Sequence, residues 1–209
     1  MTADRRRRAV VTTTLVTGAV LLGFSLATPP GNSRFYLLTL AVALVWLVGG
    51  LVSGPLHLGR TASGAGRRPV LTPIALGVAV GVVFVLGALV VREVEPLRSS
   101  VAGVLAHARR GNLGLVALIA LANGAAEEVF FRGALYTSIA RRHAVAGSTA
   151  VYTLVTAATG EPMLVFAGLL MGTLFALQRR VTGGILAPLL THLTWSLVVL
   201  FALPPVIGQ

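Results

Sequence analysis

The chain has 209 residues, of which 56% are hydrophobic and only 11% are charged, and its formal net charge is +11. A soluble domain has about 25% charged residues, so this chain has too little polar surface for a water-exposed fold and is predicted to be an all-α, polytopic membrane protein. All 17 basic residues are arginines, and most of them cluster between apolar runs, which is typical of loops that orient membrane helices and argues against nucleic-acid binding. The absence of cysteine excludes disulfides, thiolate metal sites and a cysteine nucleophile.

Seven apolar segments are candidate membrane helices, since a spanning helix needs about 20 mostly apolar residues. The fifth and sixth are short and are joined by three residues, so we expect them to form a tight helical hairpin. In chain order the segments are Ala9–Thr28, Tyr36–Val52, Val70–Val91, Leu113–Tyr136, Ala144–Thr159, Met163–Leu177 and Ile185–Leu203. We predict two parts: residues 1–112, with three helices, a cytoplasmic loop and an interfacial segment, and residues 113–205, which form the core.

The arginine-rich loops predict the orientation, because cytoplasmic loops carry the arginine excess. With the N-terminus in the cytoplasm, four arginine clusters fall inside and the C-terminus lies outside. Segment Leu97–Arg110, which this orientation puts outside, is amphipathic and is expected to lie in the membrane interface. Arg5–Arg8 and the following apolar run also resemble a cleaved signal peptide. That run is about 19 residues, longer than the usual 7–15, which favours an uncleaved helix.

Two adjacent glutamates, Glu127 and Glu128, lie inside the fourth apolar segment. An ionised group at mid-membrane costs about 2.5–3.5 kcal/mol and usually faces the bundle interior or a water-filled cavity. On a helix Glu128 shares a face with Arg132, and pairing keeps its carboxylate ionised. Glu127 points elsewhere and is therefore the candidate reactive carboxylate, a general base or acid, with Glu128 and Arg132 as its support. A cluster that only fixes helix packing is the alternative.

His192 is the histidine that lies well within a predicted span. Counted from the cytoplasmic ends of their segments, Glu127 and His192 both lie about 12–14 Å deep, so they could share one cavity open to the cytoplasm. A carboxylate and an imidazole can activate water directly or through a divalent metal, and both routes predict hydrolysis. Zinc needs three protein ligands, of which Glu127 and His192, with Glu128 as a further candidate, supply two or three. The expected cofactor is Zn²⁺, another divalent metal, or none.

Two stretches carry a resemblance to a known family. The run Glu127–Arg132 resembles the EExxxR motif of the CPBP family, which includes the CAAX prenyl proteases and the bacteriocin-processing Abi enzymes. The run Gly183–His192 resembles the family's last motif, in which the histidine is followed four residues later by Asn or Asp. The resemblance implies an all-helical membrane fold and cytoplasm-facing proteolysis, in which the first glutamate activates the attacking water directly or with a metal.

Two positions depart from the family pattern. The family's second motif, Phe-xxx-His, matches Tyr152 to Thr156 best, so that Thr156 replaces a histidine, and Ser196 stands where the last motif has Asn or Asp. A hydroxyl is a weak zinc ligand, although both hydroxyls can hydrogen-bond a water or an oxyanion.

Three functions therefore remain open. The first is a CAAX-type intramembrane endopeptidase that acts on membrane-associated, including prenylated, protein or peptide substrates. The second is a catalytically impaired relative that binds membrane-embedded partners or lipidated peptides. The third is an unrelated membrane scaffold or transporter subunit. The lipid bilayer is a partner in each case, no nucleic acid is expected, and the oligomeric state is left open.

Overall fold

The structure is a computed structural model that describes residues 3–61, 66–110 and 112–208. Within these ranges the fold is all-helical, as predicted, and contains no strand. The helices are α1 (Ala3–Ala27), α2 (Ser33–Ser53), α3 (Leu71–Val91), α4 (Glu95–Arg109), α5 (Leu113–Glu127), α6 (Tyr136–Ser138), α7 (Ala144–Ala157), α8 (Pro162–Thr182) and α9 (Leu186–Ile207). A π-helical segment, Glu128–Leu135, joins α5 to α6, so that Leu113–Ser138 forms one apolar span.

Six of the described helices are long and apolar enough to cross a membrane, which confirms the polytopic helical fold. Helix α7 has 14 residues, about 21 Å of helix, which is shorter than the roughly 30 Å hydrocarbon core. The predicted shortness of the sixth segment is wrong. Helix α8 has 21 residues because the chain from Gln178 to Thr182 stays helical, with the Arg179 side chain buried inside the bundle.

Small residues allow the helices to approach one another closely. On α2, Gly49 faces Thr14 of α1. On α8, Gly168 faces Thr156 of α7 and Gly172 faces Tyr152, which is the close packing expected of a small-xxx-small pair. The π-helical segment that follows α5 lies between the pair α1–α2 and the pair α7–α8. All eight of its residues are buried.

The contacts between loops and helix ends define two ends of the bundle. At the arginine-bearing end, Arg7 Nε donates a hydrogen bond to Ser53 O (3.1 Å), and the Arg60 amide donates to Thr182 O (2.9 Å). At the opposite end, His107 Nε2 lies 3.0 Å from Thr28 O. Arg7 and Arg60, from two of the arginine clusters, therefore lie at the same end of the bundle as the last residue of α8.

The amphipathic helix α4 lies across that opposite end. Its Leu105 packs in a cluster with Ala88, Leu203 and Ile207, from α3 and α9. Its charged face is exposed, and there Arg98 pairs with Glu95. The helix is anchored by Ser100, whose hydroxyl donates to Glu161, by His107, and by the contact of the Arg109 guanidinium with Pro204 O.

Candidate functional site

The π-helical segment buries an ion pair inside the bundle. Glu128 and Arg132 are 0% and 1% exposed, and Arg132 Nη1 donates to Glu128 Oε1 (3.1 Å). The other terminal guanidinium nitrogen of Arg132, Nη2, donates to the carbonyl oxygen of Gly172 on α8 (3.3 Å). The guanidinium carbon lies 4.5 Å from the ring centre of Tyr152 and 5.0 Å from that of Phe175. The cation is thus fixed by three helices, and it neutralises a carboxylate that could not otherwise be buried.

His192 meets the same carboxylate from α9. Its Nδ1 lies 2.9 Å from Glu128 Oε1. Because an ionised carboxylate only accepts hydrogen bonds, Nδ1 is the donor, which leaves Nε2 of the neutral imidazole with a free lone pair. The ring is stacked on Phe175, with centroids 4.8 Å apart. On its Nε2 side the ring faces Gly124 of α5, where an added methyl group would lie 3.4 Å from Nε2.

Glu127 occupies a different environment from its neighbour. It remains partly exposed, and its Oε2 accepts a hydrogen bond from the Tyr152 hydroxyl (2.7 Å). It lies close enough to His192 and to Arg132 for electrostatic interaction with both. The structure thus separates the two carboxylates: Glu128 is enclosed between Arg132 and His192, whereas Glu127 is bonded to a phenol and is only partly buried.

Thr156 and Ser196, the two residues at which the chain differs from the family motifs, lie outside this network. The Thr156 hydroxyl donates to Tyr152 O (2.9 Å), and its side chain faces Gly168 on α8. Ser196 is partly buried one helical turn beyond His192. Among the described residues, neither hydroxyl forms a hydrogen bond with either glutamate or with His192. Their expected contact with a water or an oxyanion stays a prediction.

The donor atoms present do not fit a catalytic zinc site. Nowhere in residues 3–61, 66–110 and 112–208 do three or more His, Asp or Glu side chains form a group that could hold a metal ion. Glu128 Oε1 is bonded to Arg132 and His192 and Glu127 Oε2 to Tyr152, while the second oxygen of Glu128, Oε2, is buried without a partner among the described residues. His143, a histidine that would have to turn inward to serve as a further ligand, is exposed and accepts a hydrogen bond from its neighbour Arg142. Zinc in a catalytic site needs three protein ligands, and a third is lacking in the described chain.

Arg179 is part of the site region, although the sequence analysis assigned it to a cytoplasmic loop. Its Nε donates to the carbonyl oxygen of Arg132 (2.8 Å), and its guanidinium lies 5.3 Å from the ring centre of Tyr136. The loop assignment is wrong because α8 continues through this residue. The neighbouring Arg180 is exposed, and an Arg-Arg pair gives no sign in the sequence of which member is buried.

Comparison with known proteins bears on the same segment. Residues 109–198 match the model of a family described as Rce1-like, type II CAAX prenyl endopeptidase. This match contains the whole π-helical segment, Tyr152 and His192. No curated protein and no solved structure matches the chain.

Proposed function

We propose that this chain, whose residues 109–198 match the model of the type II CAAX prenyl endopeptidase family, hydrolyses peptide bonds of membrane-associated, including prenylated, substrates. The observation that carries the proposal is the hydrogen bond of His192 Nδ1 to the buried Glu128, which brings an imidazole to the glutamate pair whose other member, Glu127, is partly exposed. A carboxylate and an imidazole placed in this way are suited to activate a water molecule at a site surrounded by helices.

In the proposed reaction, the attacking water donates one hydrogen bond to Glu127 and the other to His192 Nε2. A lone pair of the water then points at the scissile carbonyl carbon. Glu127 takes a proton as the new C–O bond forms and the carbonyl oxygen becomes an oxyanion. The proton passes from Glu127 to the amide nitrogen as the C–N bond breaks, so that water and a peptide bond give a carboxylic acid and an amine.

The remaining side chains position these two groups. Glu128 fixes the tautomer and ring orientation of His192, and Arg132 supplies the cation that pairs with Glu128 inside the bundle. Tyr152 orients Glu127 through its hydroxyl, which leaves the second carboxylate oxygen for the water. None of these three residues has to exchange a proton with the substrate.

We propose that the water is activated without a resident zinc ion, because the described donor groups do not complete a three-ligand set. The arginine-bearing end is proposed to face the cytoplasm, since cytoplasmic loops carry the arginine excess. His192 is six residues from the first residue of α9, Leu186, at that end, about 9 Å along the helix. Substrate should therefore enter from the cytoplasm.

The direct test is cleavage of a farnesylated reporter peptide by purified wild-type protein in phospholipid vesicles, with products identified by mass spectrometry. We expect cleavage near the lipidated cysteine, at a rate that prior incubation with EDTA changes less than about twofold, because no step needs a zinc ligand. Cells that produce the reporter in the cytoplasm should cleave it, whereas an exported copy should survive. A rate abolished by EDTA and restored by zinc would overturn the metal-free mechanism. Tight binding without cleavage would favour the impaired-relative function.

Gly124 offers a test of the role of His192 Nε2. In Gly124→Ala the new methyl group reaches ordinary contact with Nε2 and takes the space that the water needs. We expect cleavage to fall about tenfold or more, while stability stays equal or rises by up to about 1 kcal/mol, as expected for Gly to Ala within a helix. The matched control is Gly87→Ala in α3, where the added methyl group meets only open space. Equal rates in the two variants would show that Nε2 needs no free approach.

A further inference from the structure

The chain that follows α2 forms a strap, residues 55–61, across the arginine-bearing end of the bundle. His57 O accepts a hydrogen bond from the amide of Ile185 (2.8 Å), and the Arg60 amide donates to Thr182 O (2.9 Å). Leu58 O accepts from the amide of Leu186 (3.2 Å). The pairs His57–Ile185 and Arg60–Thr182 have an antiparallel register, from which the pair Leu58–Leu186 departs.

One side chain of the strap reaches into the cleft between the two elements that carry the site. Leu56 is partly buried and packs against Gly133 of the π-helical segment, where an added methyl group would lie 2.6 Å from Leu56 Cδ2 and 3.9 Å from Ile185 Cγ2. The side chain of Leu58, by contrast, is 46% exposed. Leu56 therefore fills the space between these two elements on the side from which we propose that substrate enters.

The backbone that pairs with the strap lies a short distance from the proposed catalytic groups. Ile185 precedes His192 by seven residues on nearly continuous helix, which corresponds to about 10 Å. About three residues of extended chain cover that distance. A peptide paired with residues 182–186 would thus bring a bond about three residues further along into reach of His192 and Glu127.

We infer that the backbone edge formed by residues 182–186 binds the substrate peptide in an extended conformation, and that the strap occupies this edge in the resting protein. The inference rests on the proposed function, since it names how the peptide part of that substrate is recognised. Substrate carbonyls replace those of His57 and Leu58, so the first amides of α9 keep their hydrogen-bond acceptors. Recognition through backbone groups is the mode used when a peptide adds to an exposed strand edge.

The strap is held in place by contacts that substrate binding can break. Arg68 Nη1 donates to Gly59 O (2.7 Å) at the exposed surface, and Leu56 contributes the apolar contact in the cleft. A closed strap lowers the apparent affinity for peptide by the fraction of protein in which the edge is free. Loosening the strap should therefore strengthen peptide binding without changing the chemical step.

The first test compares Leu56→Ala with Leu58→Ala, which removes the same side chain from the same strap at an exposed position. With the farnesylated reporter in vesicles, we expect KM to fall about three- to tenfold for Leu56→Ala while kcat stays within about twofold, because only the open fraction changes. Leu58→Ala should match wild type in both constants. A strap that merely caps α9 would instead give an unchanged KM, or a loss of kcat, in Leu56→Ala.

The second test follows the strap directly. The chain has no cysteine, so Leu56→Cys introduces a single thiol whose labelling by a maleimide reports the opening of the cleft. In the Glu127→Gln background, we expect a saturating fluorescent farnesylated peptide, its binding measured by anisotropy, to speed labelling several-fold.

The outcomes distinguish the strap from the protease. If the peptide binds and labelling stays constant or slows, the inference about the strap is wrong and the protease remains. If the peptide speeds labelling but wild type cleaves nothing, the catalytic proposal is wrong and the peptide edge remains. If the peptide neither binds nor is cleaved, both proposals fail.

Discussion

Glu127→Gln is expected to abolish peptide-bond cleavage while leaving the fold intact. The amide has nearly the shape of the carboxylate and its oxygen can still accept from the Tyr152 hydroxyl, but it cannot take a proton from water. The loss of a general base lowers kcat by about 10²- to 10⁴-fold. The measurement is kcat with the farnesylated reporter in vesicles, with thermal unfolding in detergent as the check on the fold.

The matched control for this variant is Glu93→Gln. Glu93 is an exposed acid that pairs with Arg92 at the opposite end of the bundle, so the same chemical change there should leave kcat at the wild-type value. If Glu127→Gln keeps more than about a tenth of the wild-type kcat, the base lies elsewhere. In that case His192 Nε2 is the next group to replace.

Arg132→Ala is expected to destabilise the protein by about 3–5 kcal/mol, because it leaves the fully buried Glu128 carboxylate without its cation. The side chain also holds Gly172 O and lies against two aromatic rings, so several contacts across the bundle are lost together. The measurement is the free energy of unfolding in mixed detergent micelles. Arg180→Ala, which removes an exposed arginine from α8, is the control and should change it little.

A double variant separates the charge from the packing. In Glu128→Gln combined with Arg132→Met, both charges leave the interior, and stability should return part of the way to wild type, since removing both members of a buried pair costs far less than removing one. Activity should stay low because His192 loses the carboxylate that orients it. If Arg132→Ala is as stable as Arg180→Ala, the buried ion pair does not hold the bundle together.

The features that the sequence predicted best depend on composition or on short separations along the chain. The low charge content predicted a membrane protein, and the apolar runs predicted its helices. The structure confirms the helical, polytopic fold. The contact between Glu128 and Arg132 spans four residues, so helical geometry alone suggested it, and it survives the change to π-helical turns. The structure likewise gives the two glutamates different surroundings, as the geometry indicated.

The features that the sequence did not predict depend on how distant segments meet. His192 was expected to face Glu127, but its Nδ1 bonds to Glu128, because the crossing of α9 over α5 sets which glutamate it reaches. The burial of Arg179 follows from α8 passing beside the π-helical segment. The strap depends on backbone groups more than a hundred residues apart, and backbone groups leave no trace in residue types.

The proposed proton transfer also has a consequence for the electric field across the membrane. Arg132 bonds to the carboxylate of Glu128, whereas Arg179, in the part of the chain that the structure describes, bonds to a backbone carbonyl and to neither glutamate. When Glu127 takes a proton from water, one negative charge moves to the oxyanion and no net charge appears in the low-dielectric interior. Charge then moves over a few ångströms only, and a voltage across the bilayer acts on charge in proportion to the fraction of the membrane that it crosses. The proposed chemistry should accordingly run at the same rate in energised and de-energised membranes.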